Sequence, residues 1–501
     1  MVHVMAAFLP GRANNPTTTC GWLRRDRPAG GTPGPLLLGW CAVAAGIAAG
    51  DGRGPWPLPL VLVGWGAVLV GVANAGAHAG VPNPGPNPGV EPDTDARPSR
   101  GTSWVMLAVV LAVGVAMRPR YYAGGGWASV SDALGVAGGL LTAGSILGWL
   151  RRAPDDRATA RWLASPACFW PVVGLMTAAG VTMIIAAPQP RIDVFHLLQV
   201  SARGLVDGSD MYRQQWAPSR AGYPAHQLFD VYPYLPGTTL LLAPFRLLLA
   251  DVRYGLLLAS VVTAVAIRAI MSRDDAQAGT RLPPALPLLV LAFPGSMYAL
   301  QQSWTEPLLT ACISLLVWAV TSGRGRWAVV AFAVALASKQ HMALLVPVAA
   351  AWPAFGPRRA LASVALAAAA VAPWVVVGPS DFWGDAVLTN LRYPVHGDSL
   401  SVPGVLAHAG ITTGFGPMAV ALTVAYWLAW RVRAGAAEFC AGAGVVLLTL
   451  DVMNKQSYFN HYTLPMALLV TALAAAGERR PGPSAVSAQR RVEKRSSAAP
   501  S

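Results

Sequence analysis

The sequence predicts an all-α polytopic membrane protein with about 12–14 transmembrane helices and a helical outer loop after the fifth span. Three observations carry this. Charged residues make up 12% of the 501 positions and hydrophobic ones 54%, with a mean hydropathy of +0.46; a soluble domain carries about a quarter charged residues. Apolar stretches of spanning length recur from Pro35 to Ala476. They are continuous rather than alternating, which excludes a barrel, and only helices or closed barrels satisfy their backbone in lipid.

The elements follow from the arginines, because cytoplasmic loops collect Lys and Arg. Residues 1–34 are polar, lack an adequate apolar core, and carry Arg24, Arg25 and Arg27 just before the first span. They read as a cytoplasmic tail without a cleavable signal, the first helix serving for insertion. Spans at 36–50, 57–77, 103–117 and 133–150 make an accessory group over residues 35–150. Within it, "HAGVPNPGPNPGVEPDTDARPSRG" (78–101) is a Pro-rich inside linker, and "RPR" (118–120) falls outside, against the rule. The basic loop "RRAPDDRATAR" (151–161) returns inside and opens the main transmembrane body, residues 151–477. A span at 163–187 then exits to an outer loop, 188–234.

Pro188 and Pro190 break the fifth span, and a helix restarts from Ile192 to about Leu205. The next apolar stretch must cross an odd number of times to reach the basic "RAIMSRDDAQAGTR". One span at 254–272 satisfies this, with the Pro-flanked piece 235–250 lying on the surface or re-entrant. A span at 283–299 exits to "QQSWTE", and one at 304–321 returns to "SGRGR". Two short helices meet at "SKQH" (338–341) and return to "GPRR". Spans at 360–378, 413–430 and 436–453 alternate, the last exiting to "NKQSYFNHY". A final span returns to a basic, disordered tail at 478–501, suited to anionic headgroups.

The net charge of +14 sits in these short loops and the tail. It reads as topology and not as a nucleic-acid surface. The five cysteines show no paired spacing, so no disulfide framework or metal site follows from them.

Polar chemistry gathers on the outer side, and the cytoplasmic loops carry mostly arginine. Asp193, His196, Val200 and Arg203 share a helical face by spacing. Asp193 opens that helix, where a carboxylate caps an N-terminus or acts as a base, and the two are compatible. Lys339 and Lys455 each precede a glutamine, with a histidine and a proline beyond. One such lysine reads as snorkelling to lipid phosphates; two on one face make a bound phosphate a competing reading.

These residues resemble the GT-C glycosyltransferases, and most closely family 87, the actinobacterial polyprenol-phosphate-mannose-dependent enzymes. The resemblance covers roughly Pro171 to Ala475 and rests on Asp193, "ARGLVDGSDMY", "YPYLPGTTLLLAPF", "ASKQ" and "NKQSYFNHY" in that order. It implies that Asp193 is the general base. Gly208, Asp210 and Tyr212 match the end of the family's catalytic loop. Tyr232 to Pro236 match its Tyr-Pro stretch, with Leu235 replacing one proline of a pair. The four spans before residue 150 depart from the family pattern.

The implied reaction moves a sugar, mannose by resemblance, from a polyprenyl-phosphate donor to a glycolipid or glycan acceptor of the cell envelope, with inversion. No cofactor and no metal are implied. Lys339, Lys455, Arg203, Arg392 and His461 are the candidates to stabilise the leaving phosphate. His196, Asp210, Tyr212, Tyr232 and Gln340 complete the substrate-binding set. The expected place is the plasma membrane, with the site on the extracytoplasmic side among membrane lipids. A transporter or flippase of lipid-linked sugars is the alternative, and a non-catalytic membrane scaffold a third reading.

Overall fold

Proline placement decides where helices begin, bend and fail in this chain. A computed structural model describes residues 33–50, 56–78, 98–114, 122–151, 162–163, 165–214, 231–275 and 282–476. All of these fall within one compact unit, Thr32–Ser501. The two tails, most of the 78–101 linker, the 118–120 tripeptide and residues 152–161 with Arg157 lie outside the described residues.

The architecture is all-α, and no strand occurs among the described residues. The longer helices are α1 (Pro33–Gly50), α2 (Leu58–His78), α3 (Pro98–Gly114), α4 (Gly125–Leu150), α5 (Phe169–Ala186), α6 (Asp193–Val206), α7 (Pro236–Leu249) and α8 (Arg253–Asp275). They continue with α9 (Glu306–Thr321), α10 (Gly325–Ser338), α11 (Gly356–Val377), α12 (Gly416–Arg431), α13 (Ala436–Met453) and α14 (Phe459–Ala475). Among the described residues, six helices are long and apolar enough to cross a membrane: Leu58–Gly76, Gly125–Leu150, Pro166–Ala186, Arg253–Ser272, Gly356–Val377 and Ala436–Met453. Shorter apolar helices fill in between them. The chain is a polytopic membrane protein.

The predicted span at 283–299 is not a continuous helix. It folds as a 3-10 turn at Leu286–Val290 and a short helix at Ser296–Gln301. Pro283, Pro284, Pro287 and Pro294 each remove a backbone donor, and Gly295 takes φ +82°, so helical pairing cannot run through. Such backbone is tolerated at membrane depth only inside protein. Accordingly Leu286, Leu288, Leu289 and Phe293 are buried, and Trp40 of α1 meets Phe293 edge-on at 5.6 Å.

The early helices join the same core. Trp65 of α2 donates to Thr449 Oγ1 of α13 at 2.9 Å. α13 and α14 pack together at the centre, α14 also against α9, and α10 packs between α9 and α11. α11 is mostly unburied by the rest of the protein, which leaves Leu361, Val376 and Val377 exposed as an apolar surface suited to lipid.

Chain direction separates two ends. α9 starts at Glu306 and runs to the turn holding Arg324; α10 starts beside Arg326 and runs back to Lys339. α11 starts beside Arg358 and Arg359, and α12 ends at Arg431. α13 then runs from there to Asp451, and α14 begins after Lys455. One end of these helices carries arginines, and the other gathers carboxylates, lysines, amides and histidines.

Candidate active site

At the polar end lies a cavity of about 580 Å³. Asp193 reaches it from the start of α6, Lys339 and Gln340 from the break after α10, and Lys455 and His461 from the α13–α14 junction. These five site residues were expected from the sequence, and the fold brings them to one space.

Asp193 occupies the first helical position of α6, one place beyond the N-cap, which is Ile192. Its Oδ1 accepts the Val194 N–H at 2.8 Å, so the carboxylate serves the helix start while lining the cavity. Burial raises its pKa above the usual carboxylate range, partly offset by the backbone N–H groups it accepts.

Lys339 takes extended backbone at φ −151°, which ends α10 and turns the side chain to Glu306. Its Nζ lies 2.7 Å from Glu306 Oε1, both side chains largely buried, and 5.5 Å from the Tyr234 ring centre. Lys455 Nζ donates to the carbonyls of Leu391 (2.7 Å) and Tyr393 (3.3 Å) and lies over the Phe415 ring. His461 accepts the Tyr458 N–H at Nδ1 (3.1 Å), so the neutral ring carries its proton on Nε2 and keeps that donor. Gln340 acts as a clamp: its amide donates to the carbonyls of Pro233 (2.9 Å) and Ala386 (2.6 Å), with Asn390 repeating both contacts.

The remaining expected residues sit around the cavity or apart from it. Tyr212 donates to the Tyr234 carbonyl at 3.0 Å and meets Tyr232 and Phe382 edge-on, forming an aromatic wall behind Tyr234. Tyr232 donates its backbone N–H to Asp385 (2.9 Å), whose carboxyl burial pushes up to about 6. Asp210 caps the short turn Met211–Arg213 through the Tyr212 N–H, and Arg213 pairs with Asp381 at 2.6 Å. The end of the loop that follows α6 is thereby tied to the 378–392 segment. His196 donates from Nε2 to the Pro190 carbonyl at 3.1 Å, pinning the start of α6. Arg392 is exposed and does not line the cavity.

Arg203 is separated from Asp193 although spacing put both on one face. α6 is 14 residues long, which at 1.5 Å per residue is about 21 Å. Its first turn reaches the cavity, and Arg203 in its last turn opens onto a different recess, paired with Asp207 at 3.7 Å.

Sequence reasoning assigned no role to Glu306, Gln302, Asn460 or Arg253. Glu306 Oε2, both amide atoms of Gln302, and Asn460 Oδ1 are buried at the cavity wall with no partner among the described residues. Ser303 beside them holds φ +64°, an uncommon conformation for a residue with a side chain. Unspent polar groups around an empty space suit a ligand rich in hydroxyls. Arg253 is fully buried, gripping Asp251 and donating to the carbonyls of Ala187 (2.8 Å) and Ile184 (3.3 Å) beneath the Phe195 ring. It fixes the corner between α5 and α6, and so the place of Asp193.

No curated protein and no solved structure matches the chain. The model of glycosyltransferase family 87 matches residues 232–450. That region contains the Tyr232–Pro236 stretch, Glu306 and Lys339–Gln340, and it stops before Lys455 and does not reach back to Asp193. Over its central part the chain therefore bears out the likeness to family 87, and with its apolar helices it is a membrane glycosyltransferase similar to that family.

Proposed function

We propose that the protein transfers a sugar, mannose in the first instance, from a polyprenyl-phosphate donor to a glycolipid or glycan acceptor at the outer face of the plasma membrane, with inversion. The observation that carries this reading is the cavity itself. It brings Asp193, Lys339, Lys455 and His461 together at the helix ends opposite the arginines, beside the further carboxylates of Glu306, Asp398 and Asp451.

The acceptor hydroxyl attacks the anomeric carbon. A new glycosidic bond forms, the bond to the phosphate oxygen breaks, and polyprenyl phosphate leaves with the electron pair. The acceptor proton passes to Asp193, whose raised pKa makes it a stronger base than a solvated carboxylate. Charge growing on the phosphate is met by Lys339 and Lys455 and by the Nε2–H of His461. Gln302, Glu306 and Asn460 supply hydroxyl partners for sugar or acceptor.

Transfer is tested with purified protein, radiolabelled polyprenyl-phosphate-mannose and a membrane glycolipid fraction. Label appearing in glycolipid supports the proposal. Label crossing a vesicle bilayer without transfer supports the flippase reading.

Orientation is tested independently. With native cysteines replaced, a cysteine at Gly208 is modified by an impermeant reagent in whole cells, and one at Ala158 is not. The reverse pattern sinks the outer-face assignment.

Each lysine is expected to contribute to donor affinity. Lys339→Ala and Lys455→Ala should each weaken donor binding by about 1.5–3 kcal/mol, the range for a hydrogen bond to a charged group. Isothermal titration with a short-chain donor reads this. Unchanged affinity in both variants confines the lysines to the contacts they already make with Glu306 and the Leu391 and Tyr393 carbonyls.

A further inference from the structure

A second polar recess of about 340 Å³ lies between α6 and α7, and none of its lining residues lines the cavity. Arg203 and Asp207 approach it from α6, Arg246 from α7, with Gln199 and Gln214 between them. Two guanidinium groups against one carboxylate leave it net positive.

Much of its hydrogen-bonding capacity is unspent. Arg246 donates from Nη1 to the Ala250 carbonyl at 2.9 Å, but its Nε is buried with no partner among the described residues. Gln199, only 9% exposed, donates its amide to Asp251 at 2.9 Å, and its Oε1 is likewise unpartnered, as is Gln214 Oε1. The Gln214 amide fits there only because residue 204 is glycine: a Cβ would stand 1.8 Å from Gln214 Nε2. The recess thus offers guanidinium groups for an anion and two buried amide oxygens that need O–H or N–H donors.

Directly after Arg246, the end of α7 presents Leu247, Leu248 and Leu249 outward, Leu248 at 82% exposure. One molecule that would use both features is an amphiphile with an anionic, hydroxylated head. We propose that this recess binds the headgroup of an anionic phospholipid, its phosphate between Arg203 and Arg246 and its hydroxyls on the Gln199 and Gln214 amide oxygens. The acyl chains lie along the leucines. This inference stands apart from sugar transfer, since it concerns lipid retention at a place the reaction does not use.

The test is native mass spectrometry of the full chain in detergent with equal phosphatidylglycerol, phosphatidic acid and phosphatidylcholine. Wild type should retain phosphatidylglycerol at least tenfold over phosphatidylcholine, and an Arg203→Gln/Arg246→Gln double variant should lose that preference. Because its hydroxyls reach the amide oxygens, phosphatidylglycerol should also outcompete phosphatidic acid on wild type, and Gln214→Leu should keep phosphatidic acid but lose that preference. This second variant decides the matter if the double variant fails to fold. Equal retention of all three lipids by wild type, or an unchanged profile in the variants, overturns the site. Displacement of the lipid by millimolar glycerol phosphate alone would make the ligand a free phosphate ester and overturn the lipid assignment.

Discussion

Asp193→Asn should leave a folded protein that binds donor and transfers sugar about 10²–10⁴-fold more slowly, the range for losing a general base. Asparagine keeps the size of the side chain and can accept the Val194 N–H through its amide oxygen, so the start of α6 survives. It cannot take a proton at neutral pH. The same substitution should raise stability at neutral pH. The folded-state pKa is above the unfolded value, so between the two the folded protein holds a proton the unfolded chain has released. Stability from this group is full below the unfolded pKa and is lost as pH rises through the folded one. Removing the ionisable group removes that loss. Lower activity with an equal or higher melting temperature is therefore expected, and transfer in wild type should rise with pH through the raised carboxyl pKa. Transfer within threefold of wild type would leave Asp193 as a helix-start residue only.

The buried pair Lys339–Glu306 should give the largest stability effect. Their side chains are 13% and 3% exposed, with 2.7 Å between Nζ and Oε1. Removing one partner leaves an uncompensated buried charge, at a cost of about 3–5 kcal/mol, whereas replacing both with apolar groups of similar volume is often neutral. Glu306→Leu and Lys339→Met should each lower stability strongly, and the double variant should recover most of the loss. A double-mutant cycle by chemical unfolding in micelles measures it. Additive losses would show that the two groups are not coupled, and a stable Glu306→Leu would mean that Lys339 finds solvent without its partner.

Most of the spanning helices were legible because they are long apolar runs, several of them bounded by prolines or arginines, and the meeting of short helices at Ser338–His341 was read from the break in that pattern. The 283–299 segment misled because its composition is apolar throughout; only its four prolines record that the backbone cannot pair as a helix. Lys339 drew notice as a lone charge, but its partner did not. Yet Glu306 and Lys339 lie equally far in sequence from the Ser322–Gly323 turn, the positions that an antiparallel hairpin of helices brings level. Arg203 failed for the opposite reason, since a shared helical face says nothing about which cavity lies opposite each turn. Gln302, Asn460 and Arg253 left no mark in a single sequence, because their roles depend on which long-range neighbours fail or manage to pair with them.

Lys455 also has a thermodynamic consequence. Its ammonium is engaged by the carbonyls of Leu391 and Tyr393, at the start of the 391–400 segment that also returns to the α13–α14 junction through Ser399 and Leu400. A phosphate that recruits this cation draws on the same three N–H donors. Occupancy of the cavity and closure of that segment are then linked equilibria, and linkage is reciprocal. Whatever the segment's hold on Lys455 subtracts from phosphate affinity, bound phosphate subtracts equally from the hold. Binding would loosen the strap beside the cavity, and loss of the phosphate would tighten it again, with one side chain as the shared currency.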